Sequence, residues 1–172
     1  LGELRPEGRV ATDDAGAVAL DADKAAVLPV GLLVFVGALE LAEKYDLYLM
    51  LTLFSFDNFR ATRMESQLKV RGIAPIVLDD TKRRALMDNV VAPLARAVAS
   101  HPNAKRVSAW DIINEPEWAI QGASLYGGDP MFDPQTDLEA VTHAQMETLL
   151  RDTLATLRAN SKALVTVGST EF

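Results

Sequence analysis

Three continuous apolar runs of strand length stand out along the chain, each preceded by a longer segment with helical spacing. The runs are LYLMLTLF (residues 47–54), VSAWDII (107–113) and ALVTVGS (163–169). Continuous runs of this length are typical of parallel strands that are buried on both faces. The helical segments cover residues 30–45, about 81–100, and a stretch from about 138 or 142 to 159. This alternation predicts an α/β fold with a parallel sheet.

Cap and breaker residues refine the predicted helix ends. Asp80 or Thr81 is suited to cap the second helix, and Pro93 inside that helix predicts a kink or a break. Thr142 and Gln145 fit the S/T-x-x-E/Q capping box, in which each side chain bonds to the other residue's backbone N–H. The third helix therefore carries a local start signal at Thr142.

The loops that follow the strands are long, and those that precede them are short. Residues 55–78 and 114–137 follow the first two strands, whereas residues 101–106 and 160–162 precede the next two. In a TIM barrel the site is built from the loops after the strands, while the opposite face stays tight. The polar residues 1–27 are predicted to form a loop or a short hairpin.

Charge and composition exclude several classes of function. The 172-residue chain has a net charge of −7, which disfavours a nucleic-acid or anionic-membrane partner. The basic cluster Lys-Arg-Arg at 82–84 is interpreted as a solvated helix face, and the longest nearly apolar run, 28–39, is too short to cross a bilayer. Cysteine is absent, His101 and His143 lack metal-ligand spacing, and no phosphate-binding glycine motif occurs. We therefore predict no metal and no cofactor.

Glu115 is the strongest candidate for chemistry because it directly follows the second strand. In SAWDIINEPEW the apolar run ends in Asn114, Glu115 and Pro116, and Pro116 is expected to hold Glu115 in an extended backbone. Asn114 can donate an amide N–H to a substrate or to the carboxylate. The alternative is an ordinary strand-end turn with a solvated carboxylate.

The flanking side chains are suited to sugar binding, although each has a structural alternative. Trp118 lies in the loop, where its ring face can stack on a sugar ring, and Trp110 is either a sugar contact or part of the core. Asp57 and Asn58 end the first strand and either bond to sugar hydroxyls or form an Asx turn. Asp111 is assigned no catalytic role; it either points inward or pairs with a basic residue.

These segments together resemble clan A glycoside hydrolases, most closely family 5 and cellulase-like members. WDIINEPEW is similar to the acid/base motif at the end of the fourth barrel strand. LAEKYDLYLMLTLFSFDNF is similar to the second helix and third strand, and ALVTVGS to the fifth strand. The resemblance covers roughly residues 28–172. It implies a partial (β/α)8 TIM barrel with parallel strands, in a single partial catalytic domain spanning residues 1–172.

The resemblance also implies roles for individual residues in retaining hydrolysis of β-linked glycans. Glu115 falls on the general acid/base, and Asn114 on the residue that bonds the 2-hydroxyl of the sugar. The mechanism needs a nucleophilic carboxylate about 5 Å from the first. The family places it at the end of the seventh strand, beyond Phe172. Glu117 and Glu171 share the rim with Glu115, and Glu171 is the better internal candidate.

We interpret both ends of the chain as cut, since it begins with Leu and its third strand runs into a bare end. A whole barrel takes about 250 residues, so we expect a segment that is inactive in isolation. Two uncovered sheet edges open a route to self-association. Secretion is favoured by the family resemblance alone.

Three hypotheses on function are open at this point. The first is a retaining β-glycoside hydrolase segment that acts on a β-1,4-linked polysaccharide of the mannan or cellulose type. The second is a non-catalytic carbohydrate-binding fragment that lacks the nucleophile. The third is another barrel enzyme, a lyase or aldolase with Glu115 as base, which the absence of a metal cluster or a strand-end lysine disfavours.

Overall fold

The computed structural model describes residues 30–122 and 137–169. The predicted loop 1–27, the middle of the loop 114–137 and Glu171 lie outside these residues. The chain divides into two units, Leu1–Ala38 and Leu39–Phe172. The described part of the first unit is the beginning of helix α1 (Val30–Lys44), whose last residues belong to the second unit.

The second unit contains the parallel sheet that the apolar runs predict. Its strands are β1 (Leu49–Ser55), β2 (Arg63–Glu65), β3 (Leu68–Val70), β4 (Val107–Asn114) and β5 (Leu164–Thr166). The main sheet has the order β1-β4-β5 and is parallel throughout. The three predicted strands are confirmed, although β5 is shorter than predicted. Strands β2 and β3 form a separate antiparallel hairpin inside the loop predicted over 55–78.

Within the described residues, four further helices connect the strands. They are α2 (Ala74–Val77), α3 (Asp80–Leu86), α4 (Ala92–Ser100) and α5 (His143–Asn160). The predicted break near Pro93 is confirmed, because a π-helical segment, Met87–Val91, separates α3 from α4. Proline cannot donate an amide hydrogen bond, and the turn before it widens instead. The N–H of Ala92 accordingly bonds to the carbonyl of Met87.

The predicted cap of α5 is confirmed, and the predicted cap of α3 is wrong. Thr142 Oγ1 accepts from the backbone N–H of Gln145, and Gln145 Oε1 accepts from the N–H of Thr142. The cap of α3 is Asp79, whose carboxylate accepts from the N–H groups of Thr81 and Lys82. These N–H bonds, that of Lys82 first, lower the pKa of Asp79. The register shifts by one residue because Asp79 has the extended backbone that a cap needs.

The basic cluster at 82–84 is only partly a solvated face. Arg83 is buried, and its guanidinium bonds to Asp152 of α5 at 2.6 Å, to Asp80 at 2.8 Å and to the carbonyl of Val77. The bond to Asp152 is the main cause that raises the pKa of Arg83. Arg83 therefore ties α3 to α5, whereas Lys82 and Arg84 are exposed as predicted.

The two faces of the main sheet differ in how far their side chains are exposed to solvent. Neighbouring residues of a parallel ladder point to the same side, so the register places Leu51, Trp110 and Val165 on one face. Leu51 and Trp110 are buried. On the other face, Met50 is 60% exposed and Leu164 is 74% exposed. The second face corresponds to the interior of a closed barrel. Its exposure at the end where the strands begin agrees with a partial barrel, whereas Asp111 and Ile113 further along β4 are buried.

None of the helices in the described ranges combines the length and apolarity needed to cross a membrane.

Candidate functional site

The carboxyl ends of β1 and β4 lie side by side and bring two predicted site segments together. Ser55 pairs with Asn114 in the ladder. A 3₁₀ turn follows each strand, Phe56–Phe59 after β1 and Pro116–Ala119 after β4. The pairing explains why polar and aromatic residues 59 positions apart in the chain share one rim of the sheet.

Glu115 has a left-handed backbone, with φ 54° and ψ 55°. The expectation that Pro116 holds it extended is therefore wrong. A non-glycine residue in this region costs about 1–3 kcal/mol and persists only where surrounding contacts impose it. The N–H of Glu115 donates to the carbonyl of Gly168 at 3.2 Å, and its own carbonyl accepts from Trp118 N–H at 3.4 Å. These contacts hold the strained backbone of Glu115 at the end of the central strand.

The strain in the backbone of Glu115 can be tested directly by a substitution that relieves it. We expect Glu115→Gly to raise the free energy of unfolding by about 0.5–1 kcal/mol, because glycine adopts a left-handed backbone without the steric cost. Asn114→Gly is the matched control at the adjacent strand position, and we expect it to lower stability by about 1 kcal/mol. Urea denaturation of both variants measures the difference. Equal destabilisation by the two glycines would show that Glu115 is not strained.

Asp111 is a buried carboxylate that the sequence did not assign to the site. It is 3% exposed and pairs with no basic residue in the described part of the chain, contrary to one of its two predicted roles. Its oxygens accept from Thr52 Oγ1–H at 3.0 Å and from the N–H of Gly168 at 2.9 Å. Since Gly168 in turn accepts from Glu115 N–H, Asp111 links β1, β4 and the segment after β5 to the backbone of Glu115. The sequence signal that could have identified Asp111 as a site residue is its position as a carboxylate inside an apolar strand.

The two tryptophans have different environments. Trp118 is 38% exposed, and its ring lies 6.4 Å from that of Phe56 at an interplanar angle of 44°. Trp110 has 0% exposure, and its indole N–H donates to Ser161 Oγ at 3.0 Å. A fully buried ring offers no face to a sugar, so its predicted role in substrate binding is wrong and Trp110 belongs to the core.

Asp57 and Asn58 are exposed at the rim, but part of their bonding capacity is used locally. Asn58 Oδ1 accepts from the N–H of Ser55 at 2.7 Å, which caps the 3₁₀ turn. One oxygen of Asp57 accepts from Arg60 Nε–H at 2.8 Å. Among the described residues, the amide N–H groups of Asn58 and the second oxygen of Asp57 have no partner, so they are the atoms left to face a ligand.

A connecting segment, residues 137–142, joins the loops that follow β1 and β4. On one side Ala61 N–H donates to Asp137 O and Glu139 N–H donates to Phe59 O. On the other side Val141 N–H donates to Ala119 O. Arg60 strengthens the first junction through an ion pair with Asp137, and this bond lowers the pKa of the Asp137 carboxyl. The two rim loops therefore keep a defined spacing.

A further polar contact of the rim joins two segments that are distant in the chain. Ser169 Oγ–H donates to Glu117 Oε1 at 3.0 Å, which ties the loop after β4 to the residues after β5. Among residues 30–122 and 137–169, no three histidine or acidic side chains converge as a metal site would require. The chemistry that this rim offers is therefore that of a carboxylate flanked by amide and aromatic groups.

The fold is shared with known glycoside-cleaving enzymes. The chain is 20% identical to a β-mannanase from the blue mussel Mytilus edulis, with a TM-score of 0.57, over 95% of this chain and 44% of the mannanase. It is 19% identical to a β-1,4-mannanase from the common sea hare Aplysia kurodai, with a TM-score of 0.58, over 95% of this chain and 45% of that enzyme.

Its fold is what the chain has in common with these mannanases. No protein-family model matches the sequence, and no curated protein matches it. The chain spans less than half the length of both mannanases. The likeness confirms a partial TIM barrel with parallel strands, and with it the predicted resemblance to glycoside hydrolases at the level of the fold.

Proposed function

We propose that this chain is a segment of a retaining β-glycoside hydrolase in which Glu115 is the general acid/base. The observation that carries the proposal is the strained, left-handed backbone of Glu115 at the carboxyl end of the central strand. Strain of this kind is concentrated at functional sites. The end of a barrel strand is also where catalytic groups of this fold lie.

The proposed role has two steps. Glu115 first donates its proton to the oxygen of the leaving sugar, and its carboxylate then removes a proton from the attacking water. Asn114 is assigned the role of hydrogen-bonding the 2-hydroxyl of the sugar. Hydrogen bonds to this hydroxyl strengthen in the transition state. The nucleophile is a second carboxylate about 5 Å from Glu115, and the sequence resemblance places it after β5.

A β-1,4-linked mannan is the proposed substrate class. Two structures that share the fold are β-mannanases. The exposed ring of Trp118 and the nearby ring of Phe56 supply an apolar, tilted pair at the rim. Such a pair suits the alternating faces of a β-linked sugar chain, since each ring offers a flat apolar face beside polar groups.

Carbohydrate binding without turnover is a second candidate function. It is favoured by the same aromatic pair, together with the atoms of Asp57 and Asn58 that have no partner among the described residues, because sugar binding through these groups requires no nucleophile. Titration calorimetry with manno- and cello-oligosaccharides separates the two functions when it is applied to a protein that joins this segment to its proposed nucleophile and when product is assayed in the same samples. Binding with product formation supports the hydrolase, and binding alone supports the second candidate.

Trp118 is the residue on which sugar binding should depend most. We expect Trp118→Ala to weaken oligosaccharide binding at least about tenfold, which corresponds to about 1.4 kcal/mol. Tyr45→Ala is the matched control, since Tyr45 is an exposed aromatic residue beyond the end of α1, before the strands begin. Equal binding by the wild type and the Trp118 variant in calorimetry would exclude the rim as the sugar site.

A further inference from the structure

A concave surface lies at the opposite end of the sheet from Glu115. It is a cleft of about 770 Å³ between the carboxyl ends of α4 and α5, where β4 and β5 begin. Val98 and Val107 form part of its buried floor, and Asn160 and Ser161 add polar groups. Its volume lies within the range of about 300–1,000 Å³ typical of small-molecule sites.

The charged side chains that line this cleft are all basic. They are Arg96, Lys105, Arg158 and Lys162. Lys105 is offset by Glu43, whose carboxylate lies 3.1 Å from its ammonium. The other three form no ion pair within the described residues. A cluster of unpaired cations in one cleft is unexpected in a chain of net charge −7.

Helix ends account for part of this charge. The carboxyl end of a helix carries about half a negative charge, which favours a cation in the last turn. Arg158 occupies that position in α5. No basic residue lies in the last turn of α4, and Lys162 follows the end of α5. Arg96 and Lys162 are therefore in excess of what the helix dipoles require.

The charge balance of the cleft determines the kind of ligand that fits. Arg96, Arg158 and Lys162 contribute three positive charges, and two helix ends subtract about half a charge each. The cleft is thus left with about two positive charges. One arginine is also positioned, because Arg96 Nη1–H donates to Asn160 Oδ1 at 3.1 Å.

We propose that this cleft binds a small ligand with two negative charges on oxygen, either a phosphoryl group or a dicarboxylate. Arginine presents several N–H donors in a plane, which matches both kinds of oxyanion, and lysine adds a mobile charge. The site is independent of the proposed glycoside-hydrolase rim, since it shares no residue with it.

The test is an NMR titration of the 172-residue chain with inorganic phosphate and, separately, with succinate, each against chloride at the same ionic strength. We expect saturable shifts of the amide signals at 159–163. We expect the double variant Arg158→Gln/Lys162→Gln to weaken binding about tenfold, or about 1.4 kcal/mol. Saturation by phosphate alone identifies a phosphoryl ligand, and saturation by succinate identifies a dicarboxylate.

The matched control is Lys69→Gln/Arg71→Gln, which removes two exposed basic residues outside the cleft. We expect the control to bind the anion as the wild type does. Two results overturn the proposal: shifts that stay linear and equal those with chloride, or equal weakening in both double variants. Thermal unfolding of the two variants checks that each is folded. If the cleft variant does not fold, the proposal is decided by the wild-type protein alone, through the comparison of its titrations with phosphate, succinate and chloride.

Discussion

Glutamine at position 115 is expected to lower the rate of mannan hydrolysis by about 10²–10⁴-fold in a protein that joins this segment to its nucleophile. Glutamine has almost the size of glutamate but neither donates an acidic proton nor accepts one from water. Aryl mannosides with good leaving groups need no proton for the first step, so their glycosylation should be nearly unchanged. Comparison of kcat/KM for mannan and for an activated aryl mannoside measures this difference.

A small nucleophile distinguishes the acid/base role from a general loss of structure. Azide attacks a glycosyl-enzyme without base catalysis, so it should restore turnover of the aryl mannoside in the Glu115→Gln variant. Glu117→Gln is the control in the same loop, because Glu117 bonds to Ser169 and has no proposed proton-transfer role. Equal losses on mannan and the aryl mannoside, without rescue by azide, would contradict the proposed role.

Truncation of Trp110 is expected to produce the largest loss of stability. Deleting a fully buried tryptophan costs about 3–5 kcal/mol, because it removes buried apolar surface and leaves a cavity. Trp110→Ala also leaves Ser161 Oγ without its indole donor. Urea denaturation followed by far-ultraviolet circular dichroism measures the change without relying on the fluorescence of the replaced residue.

Trp118→Ala and Trp110→Phe are the informative comparisons. Trp118 is partly exposed, so we expect its truncation to cost less than about 1 kcal/mol. Trp110→Phe keeps most of the buried volume and loses the hydrogen bond, so we expect an intermediate loss of about 1–2 kcal/mol. Similar stability of the two alanine variants would contradict the assignment of Trp110 to the core.

Features that depend on local spacing could be read from the sequence. The strands are continuous apolar runs, and the cap of α5 is a contact between residues three positions apart, Thr142 and Gln145. The break before Pro93 follows from a missing amide proton. Glu115 was identified because chain order alone places it at the carboxyl end of a buried strand.

Features that depend on distant partners could not be read in this way. Arg83 belongs to a basic run, but its main partner, Asp152, is 69 residues away. Asp111 has its donors at Thr52 and Gly168, 59 and 57 residues away. The choice between a sugar contact and a core position for Trp110 depended on which face of the strand the helices cover.

By itself, the sequence determined the order of helices and strands, the parallel sheet and the carboxylate at its rim, because these follow from hydrophobic period and local caps. Tertiary structure alone decided the conformation of that carboxylate. The local preference of a residue before proline is extended, yet Glu115 is left-handed because its N–H bonds to Gly168, which follows the neighbouring strand β5. Contacts between strands override a local preference wherever they supply more free energy than the strained backbone costs.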